Sequence, residues 1–108
     1  MLANLTETKF HEAKLRSTNF SQATLTKTKF QKATLIEAIF DGADFDKTEF
    51  NEANIEGASF INIKESYIID YIENLTTDQI LKAKNWDKAK YNPDFGEQLK
   101  KKAKESIA

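Results

Sequence analysis

The chain contains no cysteine. That excludes a disulfide framework, a thiolate metal site and a cysteine nucleophile, and it leaves the redox compartment unmarked. Its 3 glycines form no phosphate-cradling loop. No apolar run approaches the roughly 18 residues of a membrane span, and no signal-peptide pattern stands at the start. A cytoplasmic location and no membrane partner are expected. A leader removed upstream of Met1 is the route to a periplasmic or lumenal one. An excess of one charge is also lacking. The 16 basic and 17 acidic residues leave a net charge of −1, which argues against nucleic-acid binding and equally against a strongly acidic nucleic-acid mimic.

What is present is a register of five. Every fifth position is large and apolar: Leu5, Phe10, Leu15, Phe20, Leu25, Phe30, Leu35, Phe40, Phe45, Phe50, Ile55 and Phe60. Two residues before each stands Ala or Thr, from Ala3 and Thr8 through Ala53 and Ala58, with no exception across twelve units. The 108 residues, 40% hydrophobic and 31% charged, suit one soluble domain with a modest core.

A period of five fits neither regular template. On an α-helix a step of five residues advances about 500°, so successive apolar residues drift around the cylinder. On a strand an odd spacing throws them onto opposite faces. The chain must turn once per unit for each large residue to point inward, and a stack of such units is a solenoid.

The units Ala43-Asp44-Phe45-Asp46-Lys47, Ala53-Asn54-Ile55-Glu56-Gly57 and Ala3-Asn4-Leu5-Thr6-Glu7 resemble the pentapeptide-repeat family. Its pattern is a small residue, Asp or Asn, Leu or Phe, and two outward positions. The second position here also holds Lys9, Lys14, Thr24, Lys29, Thr34, Ile39, Glu49 and Ser59. That departure leaves the fold untouched, because the position points outward. The resemblance covers residues 3–60. It implies an all-β solenoid, a right-handed quadrilateral β-helix with twenty residues per coil and about three coils. The expected organisation is a β-helix over residues 1–62 and a C-terminal cap over 63–108, together one structural unit.

With that period, residues twenty apart stack. Two opposite faces become phenylalanine ladders, Phe10/Phe30/Phe50 and Phe20/Phe40/Phe60. The other two are Leu5/Leu25/Phe45 and Leu15/Leu35/Ile55. A spacing of about 4.8 Å between coils allows offset ring stacking. The Ala and Thr positions fill the space beside the large residues, where bulk should overpack. Outside, Glu12/Lys32/Glu52 and Lys9/Lys29/Glu49 form charged columns. Residues 1–20 carry three basic and two acidic groups, 21–40 three and one, and 41–60 one and six, for nets of +1, +2 and −5.

After Phe60 the register fails, and residues 61–75 read as a partly extended transition. Thr76 with Gln79 three residues on looks like a capping box, which predicts a helix from about Thr77 to about Asn85. Asn92 before Pro93 reads as an N-cap with proline at the first helical position. The second helix carries Phe95, Leu99 and Ala103 on one face and Lys100, Lys101, Lys102 and Lys104 toward its end, with the last residues fraying. The pieces Lys84-Asn85-Trp86 and Tyr91-x-Pro93 are similar to C-terminal caps of cyanobacterial pentapeptide-repeat proteins. Such a cap shields an open solenoid end. Met1 and Leu2 are too few to shield the other end, so a homodimer through the uncapped N-terminal coil is expected as one way to cover it.

Site chemistry is sparse. His11, the only histidine, falls at an outward position, and nothing near it or Ser17 forms a pocket for a catalytic triad. Asp41, Asp44 and Asp46 lack the spacing and closing Glu of a calcium loop. No catalytic residue, cofactor or metal is expected, and the chain is read as a non-enzymatic scaffold for an unknown protein partner. Ile36 and Ile39, apolar at outward positions near one corner of the middle coil, form the candidate contact, with Arg16 flanking Ile36. The alternative is a DNA mimic acting on DNA gyrase or another topoisomerase, as the family's gyrase-protecting members imply.

Overall fold

The computed structural model describes residues 3–65 and 68–107. Met1 and Leu2, the expected poor shield of the first turn, lie outside them, as do Ser66 and Tyr67 of the transition segment and Ala108.

Each five-residue unit makes a β-turn. The amide of the small residue donates to the carbonyl of the large residue three positions back, as in Thr8 N–H to Leu5 O at 2.9 Å and Ala13 N–H to Phe10 O at 3.0 Å. The unit's fifth residue has positive φ in eleven consecutive units, from Glu7 at 62° to Gly57 at 70°. Positive φ at the third turn residue is the signature of a type II turn. Between turns, the unit's second residue makes a parallel bridge to the residue twenty further on: Asn4 to Thr24 to Asp44, Lys9 to Lys29 to Glu49, Lys14 to Thr34 to Asn54, and Asn19 to Ile39 to Ser59. Each bridge is a donor–acceptor pair, for example Thr24 N–H to Ala3 O at 2.9 Å and Leu5 N–H to Thr24 O at 2.8 Å. The backbone therefore stacks three turns of four units over residues 3–60.

Inside, the two phenylalanine ladders stack as their spacing predicts. Phe10, Phe30 and Phe50 lie 5.2 and 5.4 Å apart with planes within 7°, and Phe20, Phe40 and Phe60 lie 5.0 Å apart within 9°. They also touch one another across the core, edge to face, at 5.4 to 6.0 Å. Both arrangements suit the aromatic quadrupole. Phe20 through Phe60 of the large-residue series are buried, whereas Leu5, Phe10 and Leu15 are half-buried, because among the described residues the first turn is stacked from one side only. The Thr positions do more than fill space. Buried Thr28 and Thr48 donate their hydroxyls to Leu5 O at 2.7 Å and Leu25 O at 2.6 Å, tying each turn to the one before.

Past β1 (Ser59–Phe60) the chain forms an antiparallel hairpin of β2 (Ile63–Glu65) and β3 (Ile68–Asp70), α1 (Thr77–Leu81), a 3-10 turn (Trp86–Lys88), β4 (Lys90–Tyr91) and α2 (Pro93–Ile107). Although the sequence register is lost, the bridges continue: Glu73 pairs with Asp44, Lys84 with Asn54, and β4 with β1 in parallel. The step widens from twenty residues to 29, 30 and 31, and the extra residues hold the hairpin, α1 and the 3-10 turn. Tyr91 lies 5.7 Å from Phe60 at 17° and extends that ladder by one ring.

One expectation needs correction. The first cap helix stops at Leu81 instead of near Asn85. Its next backbone groups are claimed by the ladder: Lys82 O accepts from Glu52 N–H at 2.9 Å, and Lys84 N–H donates to Ala53 O at 2.7 Å. Asn92 directs its side-chain oxygen to Asn62 N–H at 3.1 Å, joining the start of α2 to the transition segment. That helix begins at Pro93, directly after Asn92, and runs to Ile107. The capping box is present as read, with Thr76 Oγ1 accepting from Gln79 N–H and Gln79 Oε1 accepting from Thr76 N–H.

Candidate interaction surface

The unit geometry sends the second, fourth and fifth residues outward and holds them in columns. Ser17 N–H donates to Ile36 O, and Glu37 N–H to Glu56 O, both at 2.9 Å, so Arg16, Ile36 and Glu56 share one column. Arg16 is exposed. Ile36 and Ile39 are half-buried, since side chains of the turns on either side cover part of each. Ile39 also sits between Asn19 and Ser59 in the adjoining ladder. Among the described residues the exposed large apolar side chains lie elsewhere: Ile61 at 36%, Ile69 at 40% and Tyr71 at 58%.

These three belong to the segment around the hairpin. Ile63 pairs with Asp70 on the hairpin face that meets the repeat corner: Asp70 accepts from Gln22 Nε2, and Ile63 approaches Gly42. Ile69 pairs with Lys64 and therefore points the other way, toward solvent. Sequence reasoning took residues 61–75 as a transition and found no face in it. The signal was available in the Ile- and Tyr-rich run, but its alternation becomes legible only once Ile63 and Asp70 are known to face the repeats.

His11 places Nε2 3.4 Å from Glu12 Oε1 and remains largely exposed. With Gln31, Lys32, Asn51, Glu52 and Lys82 it lines an open groove of about 650 Å³. No described hydrogen bond joins it to Ser17. Among the described residues no group of three His, Cys, Asp or Glu side chains is placed to hold a metal ion. Nor is any helix of these residues long and apolar enough to cross a membrane. A second groove, of about 520 Å³, opens in the cap between Trp86–Pro93 and the first turns of α2. In it the Tyr91 hydroxyl donates to Trp86 O at 2.5 Å. Burial, and secondarily the charge of Asp87, push the Tyr91 phenol well above its ordinary pKa.

A family model for pentapeptide repeats matches residues 3–42 and 29–64, in 8 copies. A search of curated proteins returns no match. Repeats of this kind imply a right-handed β-helix and a non-enzymatic repeat protein, in keeping with the twenty-residue ladder and the two cap helices. With the match spanning residues 3–64, more than half of the 108, the chain belongs to the pentapeptide-repeat family.

Proposed function

We propose that the protein is a rigid scaffold that binds another protein, its three repeat turns forming a right-handed quadrilateral prism. The observation that carries this reading is the exposure of three large apolar side chains, Ile61, Ile69 and Tyr71, within the segment around the β2–β3 hairpin. Large exposed apolar side chains favour a protein partner. Arg16, Ile36 and Ile39 are the weaker contact, because both isoleucines are already half covered. Affinity capture from the source cell with Ile69→Glu and Tyr71→Glu, alongside Ile36→Glu and Ile39→Glu, separates the two. The first pair should release a partner that the second pair retains. If all four variants capture the same proteins as the parent chain, neither surface is the contact.

The half-buried Leu5, Phe10 and Leu15 of the first turn also support self-association through that end. Solution mass decides this: a dimer that Phe10→Glu converts to monomer supports it, and a monomer at every concentration removes it. The topoisomerase reading draws on the acidic third turn alone, with Asp41, Asp44, Asp46, Glu49, Glu52 and Glu56. The two weakly basic turns below it work against a DNA mimic. A supercoiling assay showing neither inhibition nor protection of gyrase would exclude it.

A further inference from the structure

The open end of the first turn carries a specific pattern of backbone groups. In the ladder, the second residue of each unit aims both its N–H and its C=O at the turn before it. Thr24 N–H donates to Ala3 O at 2.9 Å and Thr24 O accepts from Leu5 N–H at 2.8 Å; Lys29 does the same with Thr8 O at 2.9 Å and Phe10 N–H at 2.7 Å. The same groups of Asn4, Lys9, Lys14 and Asn19 face the open end, and no described hydrogen bond uses them. All four residues are exposed, and Leu5, Phe10 and Leu15 beside them are half-buried. The far end of the repeats presents the complementary pattern, the C=O of a unit's first residue and the N–H of its third. There the cap has taken three sides, through Glu73 with Ala43 and Phe45, Lys84 with Ala53 and Ile55, and Lys90 with Ala58. A parallel, head-to-tail copy therefore finds no matching edge.

We propose, resting on the self-association reading above, that a second copy of this chain covers this end in antiparallel pairing, with Asn4 of each copy opposite Lys9 of the other and Lys14 opposite Asn19 likewise. A two-fold axis across the solenoid reverses the direction in which the second copy runs round its first turn, so all four sides meet antiparallel. An antiparallel hydrogen-bonded pair needs, on each strand, a residue with both N–H and C=O turned to the other. The four residues supply that on four successive sides of the turn, which selects a like turn, since a lone strand or helix matches one side at most. The register of five adds a steric fit. In antiparallel pairing the residue after one bridge position lies opposite the residue before the other, so Leu5, Phe10, Leu15 and Phe20 each face an Ala or Thr of the second copy. Charge then chooses among the registers. The axis can pass through opposite sides or opposite corners of the turn, in two ways each. Three of these settings put a lysine directly opposite a lysine, which destabilises the pair. The setting through the Thr6–Glu7 and Arg16–Ser17 corners puts each lysine opposite an asparagine.

The chain has no cysteine, so introduced cysteines report the register without background. Directly opposed residues of such a pair lie about 5.5 Å apart at Cα, within disulfide reach. The whole chain should have the solution mass of a dimer. Asn4→Cys mixed with Lys9→Cys, and Lys14→Cys mixed with Asn19→Cys, should crosslink under mild oxidation, each product identified by its mass. Asn4→Cys alone, Lys9→Cys alone, Lys14→Cys alone and Lys9→Cys mixed with Lys14→Cys should not. Asn4→Lys, which sets lysine against Lys9 of the second copy, should weaken dimerisation at least about fivefold, and Asn4→Glu should strengthen it. A monomer at every concentration overturns the proposal and the self-association reading together. A dimer that crosslinks in an excluded combination, or in none, or that both Asn4 variants leave unaltered, overturns the proposed pairing and leaves self-association to the Phe10→Glu test.

Discussion

Nine of the eleven positive-φ positions in the repeat turns hold Glu, Lys, Ser or Gln instead of glycine. Left-handed backbone costs an L-residue about 1–2 kcal/mol. The turn requires it, and the ladder bonds that each turn brings into reach offset it. Only Gly42 and Gly57 avoid the cost, and their surroundings differ. A Cβ on Gly42 would lie 3.2 to 3.3 Å from Ile63 Cδ1, Asp70 Cβ and Gln22 Cγ, whereas one on Gly57 would press mainly on Glu37 Cγ at 3.2 Å. We expect Gly57→Ala to cost about 1 kcal/mol and Gly42→Ala about 2–4 kcal/mol. Urea midpoints decide it, and equal costs would show that the hairpin does not press on Gly42. Tyr91 gives a second prediction. Its raised pKa means that the folded chain holds the phenol proton more tightly than the unfolded chain. That contribution is complete below about pH 10 and is lost as the pH rises beyond it toward the folded-state value. Stability should therefore fall more steeply above pH 10 in the parent chain than in Tyr91→Phe, measured by denaturant melts at stepped pH.

At the scale of elements, the cap is a fourth turn built from unlike parts. Where a repeat unit would have bridged the Glu49 face, α1 stands instead, and Gln79 Nε2 donates to Phe45 O at 2.8 Å and Thr48 O at 3.0 Å. The same side chain closes the capping box, so one residue both starts the helix and fastens it to the solenoid. Gln79→Ala should cost about 1–3 kcal/mol, more than the roughly 1 kcal/mol of Thr76→Ala, because it also strips two partly buried carbonyls of a donor. Hydrogen exchange of the Ile80 amide should quicken in the Gln79 variant before the Phe30 region changes. Simultaneous loss would mean that cap and repeats unfold as one unit. The capping box was legible in the sequence because it is local. The end of α1 was not, because Lys82 and Lys84 leave helical pairing only when the third turn presents Glu52 and Ala53 to them.

At the scale of the molecule, apolar stacking and backbone ladders outweigh surface charge. The inter-turn ion pairs Lys29–Glu49 and Lys32–Glu52 are each 4.0 Å apart and largely exposed. Pairs of that kind contribute between nothing and about 1 kcal/mol and are screened by salt. Raising salt from about 0.1 to 1 M should therefore change unfolding stability by less than about 1 kcal/mol, read from matched urea curves. A larger loss would assign the net −5 of residues 41–60 a structural role that its geometry does not show.

In the sequence by itself, the strict repeat set the turn of five and the inward residues, because a unit that turns once per five residues can point each large side chain inward, while the columns twenty apart followed from the resemblance to the pentapeptide-repeat family. The sequence also specified both helix starts, since Thr76 with Gln79 and Pro93 act through neighbours in the chain. Tertiary structure alone decided the rest. It continued the ladder through Glu73, Lys84 and Lys90 after the register had ended, because backbone groups pair without regard to side chain. It turned Ile69 outward by setting Ile63 and Asp70 against Gly42 and Gln22. It half covered Ile36 and Ile39 and left Leu5, Phe10 and Leu15 half open, because burial depends on what stacks above and below, and a single unit does not carry that information.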